Sequence, residues 1–342
     1  MQALFLVGEQ RSGSNLLRLM ISNSHEIAAP HPPHILQRID PLVPVQMILD
    51  DDKFNHMVEI VCQLVETNPV AWLNTVLDRE DVKRRCTEKH VIAIYGAVMD
   101  VYGESNGAKA WMCKSMQNIR WADHLNQYFK NNKYIFLHRD GRDVALSFTK
   151  AVIGDKHVYF IAKQWSELQR LCLDARANLS TDRYFTVSYT ELTEETESTL
   201  RNMCAFLGIE FKPTMMEFYD SQEAKNTAVA SSLWENVNKP IMHHNSNKFL
   251  KELTEEQVRI FESIAGTELD ELGYERVFIK KGEEMQFTPE QIAQYTAEND
   301  KLKKEQTSKT DPEDIENRRR QEKVLTDLKA MCKEWQMEKA LS

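Results

Sequence analysis

Four groups of residues have types and spacing suited to chemistry. The first is Gly8-Glu9-Gln10-Arg11-Ser12-Gly13-Ser14-Asn15, in which two glycines bracket a polar turn with one cation. Backbone N–H groups of such a turn, with the N-terminus of a following helix, form a cradle for an anion. The second is Arg139-Asp140-Gly141-Arg142-Asp143, with Ser147 one helical turn further on. An arginine fork contacts a phosphate bidentately, and a helix-borne hydroxyl adds a donor. Arg139 and Arg142 also read as a charged helix entry paired with Asp140 and Asp143. The third is Pro30-His31-Pro32-Pro33-His34, which sets two histidines close behind the first loop. An imidazole suits proton transfer near neutrality. The fourth is Lys114-Ser115, directly after an apolar run.

The elements that must position these groups alternate. Leu4-Phe5-Leu6-Val7 is an uncharged run, read as a strand buried on both faces, and Leu16, Leu17, Leu19, Met20 and Ile21 then recur at helical spacing. Further strands are expected at 109–113, 133–138 and 183–188. Helices are expected at about 121–129, from Val144 onward, at about 158–177, and up to Leu207-Gly208. Residues 45 to 105 carry helical periodicity and read as an insertion. Alternating strands and helices predict an α/β fold, a P-loop-like parallel sheet flanked by helices, with ligands at the carboxyl ends of the strands. Arg11, Lys114, Arg139 and Tyr189 would collect there. Residues 212–251 lose periodicity and read as a long irregular stretch. Thr254 with Gln257 opens a further helix, closed by Gly273. Charged helical runs starting at Thr288-Pro289 and Asp311-Pro312 form a C-terminal appendage. The expected division is an α/β domain over 1–279 and an appendage over 280–342, which would either pack on its own chain or on a second subunit as a homodimer through its helices, or stand as a solvated tail.

The first loop keeps the glycine spacing of G-x-x-x-x-G-K-[ST], but Ser14 replaces the lysine and Asn15 the magnesium-binding hydroxyl residue. The cradle is present and the metal-dependent phosphoryl-transfer equipment is not. A sulfuryl group, carrying less charge than a terminal phosphate, fits such a loop. Gly8 to Leu17 resembles the 5′-phosphosulfate loop of sulfotransferases that use 3′-phosphoadenosine 5′-phosphosulfate (PAPS). It is most similar to the branch with Arg-Ser-Gly, which includes tyrosylprotein and many bacterial enzymes. Arg139 to Ser147 resembles that family's 3′-phosphate motif. Phe185-Thr-Val-Ser-Tyr189 resembles its strand ending in an adenine-contacting tyrosine, and His243-His-Asn-Ser-Asn-Lys248 its late loop over the 3′-phosphate. The resemblance spans about residues 3 to 275.

What the resemblance implies is a PAPS-dependent sulfotransferase. Arg11, Ser12, Gly13, Ser14, Asn15, Arg139, Ser147, Tyr189 and Lys248 would bind the donor. Arg11 would stabilise the leaving group, with His31 as the first candidate for the base, His34 as the second, and Lys114 beside the donor sulfate or acceptor hydroxyl. His138, inside a strand, reads as a core histidine. No metal site is expected, since His243 and His244 have no suitably spaced Cys or acid cluster. The competing readings are a P-loop small-molecule kinase and a non-catalytic nucleotide-binding scaffold.

Composition narrows the partners. The chain of 342 residues has a net charge of −9, which argues against a nucleic-acid or anionic-membrane binder. Its six cysteines show no C-x-x-C pair and read as reduced thiols. No run is apolar enough to span a bilayer and none resembles a signal peptide. The expectation is a cytoplasmic protein acting on a hydroxyl of a small-molecule, lipid or sugar acceptor.

Overall fold

The computed structural model describes residues 1–231, 234 and 236–341, with the backbone alone described from 336. In chain order the elements are β1 (Gln2–Gly8), α1 (Ser14–Ser22), β2 (Ile27–Ala28), α2 (Ile35–Ile39), α3 (Asp51–Glu66), α4 (Arg79–Arg85) and α5 (Val91–Ser105). They continue with β3 (Ala110–Cys113), a 3-10 segment Met116–Trp121, α6 (Ala122–Tyr128), β4 (Lys133–His138), α7 (Gly141–Lys150), α8 (Val158–Asn178) and β5 (Tyr184–Ser188). Then follow α9 (Tyr189–Glu194), α10 (Thr196–Leu207), a 3-10 segment Pro213–Asp220, α11 (Gln222–Ala230), α12 (Phe249–Glu252), α13 (Glu255–Glu271), α14 (Pro289–Ser308) and α15 (Pro312–Leu341).

The five strands form one parallel sheet in the order β2-β3-β1-β4-β5. The chain leaves β1 toward β3 on one side and toward β4 on the other, so the end of β1 is the switch point where such sheets bind ligands. Alternation along β1 explains the layers. Phe5 and Val7 enter one core with Trp111, Tyr134, Phe136 and the helices of the insertion, while Leu4 and Leu6 enter a second with α1 and α10. Both faces are covered, as the uncharged strand predicts.

A two-residue edge strand, Ile27–Ala28, pairs with β3 just ahead of the proline-rich stretch. The stretch 212–251 is not wholly irregular. Ser221 caps α11 through Ala224 N, and Glu223 and Thr227 on that helix accept hydrogen bonds from the fully buried Arg18 of α1. The order there comes from a distant cation rather than from apolar periodicity. Helix α7 is capped by Asp140, which accepts from Arg142 N at 2.9 Å, and Asp143 stands in its first turn, where an acid favours a helix start.

Both C-terminal helices pack against the same chain. In α14, Tyr295 stacks on His157 and Asn299 accepts from the backbone N–H groups of Lys156 and His157. In α15, Val324 and Leu328 are buried in the first core against α3. Gln321 donates to the carbonyl of Leu64 at 2.8 Å, one of the carbonyls left without a partner at the end of α3. Among the described residues no helix is long and apolar enough to cross a membrane.

Candidate active site

A single cavity of about 1240 Å³ opens at the carboxyl ends of the strands and reaches to α15. That exceeds the roughly 300–1,000 Å³ of an ordinary small-ligand pocket, so two ligands fit side by side. Its floor is the loop between β1 and α1. Gly8 has φ +128°, and a Cβ there would stand 2.4 Å from the carbonyl oxygen of Leu137. Gly13 has φ +88°, and a Cβ would strike the Tyr189 ring at 2.6 Å. Both positions therefore require glycine. Gly13 gives α1 no side-chain cap, which leaves the first N–H groups of the helix for a ligand.

The two arginine-bearing turns meet in this cavity. Arg11, in the left-handed region at φ +68°, donates from Nε to Ser147 Oγ at 2.9 Å. Arg139 donates from Nη1 to the Arg11 carbonyl and from Nη2 to the Asn245 carbonyl, and its guanidinium lies 4.3 Å from the centre of the Tyr189 ring. Arg139 Nε is buried without a partner. Asn245 Nδ2 donates to the Tyr189 hydroxyl, tying the late loop to the same ring. Asp143 holds that loop too, accepting from Asn247 N and Phe249 N at 2.7 and 3.0 Å. Lys248 lies between them, exposed, on the cavity wall.

Lys114 is 7% exposed and has no hydrogen-bond or carboxylate partner among the described residues. Burial, with the charges of Arg18 and Arg11, lowers its pKa to about 7. Burial and Arg139 likewise pull Arg11 down. A cavity that depresses its own cations is one that favours an anion.

His31 is buried on the cavity wall, edge-on to Trp234 with ring centroids 4.6 Å apart. Its Nδ1 lies 2.7 Å from Asn68 Oδ1. The amide orientation is set by its other bonds, since Oδ1 accepts from Val70 N and Nδ2 donates to the Pro32 carbonyl. Nδ1 is therefore the protonated nitrogen and Nε2, buried without a partner, carries the lone pair. Burial first, then Arg18, Lys114 and His34, hold this imidazole well below its ordinary pKa. His34, also on the wall and in the left-handed region, has no imidazole partner, and burial lowers it to about 3.

Of the sequence-expected residues, Arg11, Gly13, Ser14, Asn15, His31, His34, Lys114, Arg139, Ser147, Tyr189 and Lys248 all line the cavity. Ser12 does not; its hydroxyl is buried beneath the loop without a partner, because the turn points it into the protein. His138 is a core histidine, bonded through Nδ1 to Tyr274 and lowered to about 4 by burial. His243 and His244 face Glu194 and lie off the cavity, and no metal-binding cluster exists among the described residues. Sequence reasoning missed Asn68, which orients His31 from 37 positions away, and Asn245. It also missed Glu9, a buried carboxyl raised to about 7 by burial that accepts from Gln10 N and Gln164 Nε2. No local signal marks Asn68; Asn245 lies in the late-loop segment quoted from the sequence, and Glu9 is an acid beside the glycine of the first loop.

The sulfotransferase family model matches residues 3–213. The chain belongs to the sulfotransferase family. No curated protein matches the sulfotransferase by sequence. Among solved structures, the sulfotransferase domain from the Synechococcus PCC 7002 olefin synthase is 21% identical with a TM-score of 0.53, over 77% of this chain and 94% of that one. The sulfotransferase domain from the curacin biosynthetic pathway is 18% identical with a TM-score of 0.54, over 81% and 99%. These share the fold. The matched span ends before Trp234, Asn245, Lys248 and α15, so part of the sulfotransferase's cavity wall lies outside it.

Proposed function

We propose that this sulfotransferase moves a sulfuryl group from PAPS to the hydroxyl of a small-molecule, lipid or sugar acceptor, giving a sulfate ester and adenosine 3′,5′-bisphosphate. The observation that carries the reading is one cavity walled by Arg11, Lys114 and Arg139 at one end and by a neutral His31 with a bare Nε2 at its side. The donor fits the residues present. The uncapped start of α1, the partnerless Lys114 and the buried, unsatisfied Nε of Arg139 are groups that an anion at each end of an adenosine would satisfy.

Gly13, Ser14, Asn15 and Arg11 would hold the 5′ end; Arg139, Ser147 and Lys248 the 3′-phosphate; and Tyr189 the adenine. When bound, the donor supplies sulfur whose bond to the phosphate oxygen breaks as a bond to the acceptor oxygen forms. His31 Nε2 accepts the hydroxyl proton, and Asn68 keeps that nitrogen the basic one. Arg11, held by Ser147, offsets negative charge on the leaving phosphate, and Lys114 adds a second cation. The kinase reading is not favoured, because Ser14-Asn15 stand where that chemistry needs a lysine and a magnesium-binding hydroxyl.

Calorimetric titration with adenosine 3′,5′-bisphosphate and with ADP, side by side, tests the reading. Strong preference for the bisphosphate is expected; equal weak binding of both overturns it.

A further inference from the structure

The cavity is larger than the donor end requires, and its other end is built by different residues. Arg38 on α2 and Arg318, Gln321, Leu325 and Lys329 on α15 line it. The α15 positions follow one another by three or four residues, so they share the helix face adjoining Val324 and Leu328, which pack on α3. None of the α15 residues lies within the family-matched span.

Arg38 is the unusual group there. Its Nη2 donates to Gln321 Oε1 at 2.9 Å, while its Nε is buried with no partner. Among the described residues no carboxylate lies within ion-pair distance of it, and Glu322 acts on it only at longer range. Arg318 does not need a further counter-ion, since Asp314 already lies 2.9 Å from its Nε. Gln321, 3% exposed and anchored on the Leu64 carbonyl, holds the Arg38 fork in place. Arg38 also sits one helical turn from His34, its N–H bonded to the His34 carbonyl. The apolar side chains of Pro41 and Leu42, a few residues after Arg38, of Leu325, on the α15 face of Gln321, and of Pro69 also line the cavity.

We propose that this end is the acceptor subsite, that it takes a hydroxylated amphiphile whose own anionic group, carboxylate or phosphate, docks on Arg38, and that α15 closes it. A half-buried guanidinium without a counter-charge demands an anion. The apolar residues around it suit a hydrocarbon stem, and the direction back along α2 leads to the histidines, where the hydroxyl must lie. The inference rests on the sulfotransfer reading.

The test is calorimetric binding to the protein saturated with adenosine 3′,5′-bisphosphate, using 8-hydroxyoctanoate, 8-hydroxyoctyl phosphate and 1,8-octanediol. At least one of the anionic probes should bind roughly 10-fold or more tightly than the diol. Whichever anion binds more tightly names the source of the charge. Arg38→Gln should remove that margin while leaving the bisphosphate affinity and melting temperature near those of the wild type. Leu325→Trp should weaken all three probes together. Equal binding of the three, binding of none, or a margin that survives Arg38→Gln overturns the subsite. Failure of the wild type to bind the bisphosphate would instead overturn the sulfotransfer reading, and the subsite with it.

Discussion

Arg139 and Arg142 stand three residues apart, yet they belong to two unlike regions. Arg142 turns behind α7, away from the cavity, where Asp140 and Glu262 contact it at 2.7 and 2.6 Å and Phe249 covers its guanidinium. Glu262 also accepts from the backbone N–H groups of Val277, Phe278 and Ile279, so this cluster pins the middle of α13 and the chain that follows the helix to the first turn of α7. Arg139 faces the cavity and rests on two carbonyls and an aromatic ring, with Asp143 no nearer than 3.9 Å. The same side chain is a rivet where two buried carboxylates bond it directly, and it stays available to a ligand where carbonyls and a ring orient it and the nearest carboxylate stands 3.9 Å away.

The comparison sharpens under substitution. The largest effect belongs to His31→Ala, which should lower turnover by about 10²–10⁴-fold with the bisphosphate affinity nearly unchanged, the signature of a lost base. Unchanged turnover would move the role to His34. Arg142→Ala should destabilise the fold by about 3–5 kcal/mol, since two buried carboxylates lose their counter-ion. Denaturant melts read this, and the surviving folded fraction should bind the bisphosphate normally. Arg139→Ala should do the reverse, weakening the bisphosphate by about 2–5 kcal/mol with little change in melting. If both variants behave alike, the division between the two regions fails.

Two smaller effects concern protons. Lys114, at about 7, is largely neutral at pH 8, and an anion beside it raises its pKa. Binding of the bisphosphate at pH 8 should therefore take up a proton, seen as a dependence of the calorimetric enthalpy on buffer ionisation. Lys114→Met should abolish that part of the uptake. His31, held well below its usual pKa, stays basic through pH 6, so turnover should show no acid limb from it near 6.5. Asn68→Asp places a negative charge on Nδ1, raises the imidazole pKa and should bring that limb into view, activity falling as pH drops through the new value. Asn68→Ala, which takes from the imidazole one hydrogen bond of ~1 kcal/mol, should lower turnover by no more than roughly 10-fold.

That Arg11, Lys114, Arg139 and Tyr189 collect at one cavity was legible because they sit at strand ends within short segments. Gly8 to Asn15 and Arg139 to Ser147 each carry their signal inside about ten residues, and a parallel sheet brings successive strand ends to one edge. The division of labour within the second motif was legible only through the family resemblance, which singled out Arg139. By residue type and spacing Arg139 and Arg142 are alike, and the physical separation comes from Glu262, 120 residues after Arg142. The same holds for His31 and His34, told apart by Asn68, and for Ser12, which composition places in the loop and the backbone turns inward.

The alternation of strands and helices, the glycine-bearing loop between β1 and α1, the lack of the lysine and hydroxyl that magnesium-dependent transfer needs, and the starts of the C-terminal helices are all present in the amino-acid order. These follow from local rules of periodicity, capping and turn chemistry. Only the tertiary structure decided which imidazole nitrogen is bare, which arginine is neutralised, and that α15 returns to wall the cavity. Those outcomes depend on burial and on partners tens to hundreds of residues apart, and such contacts leave no trace in local spacing.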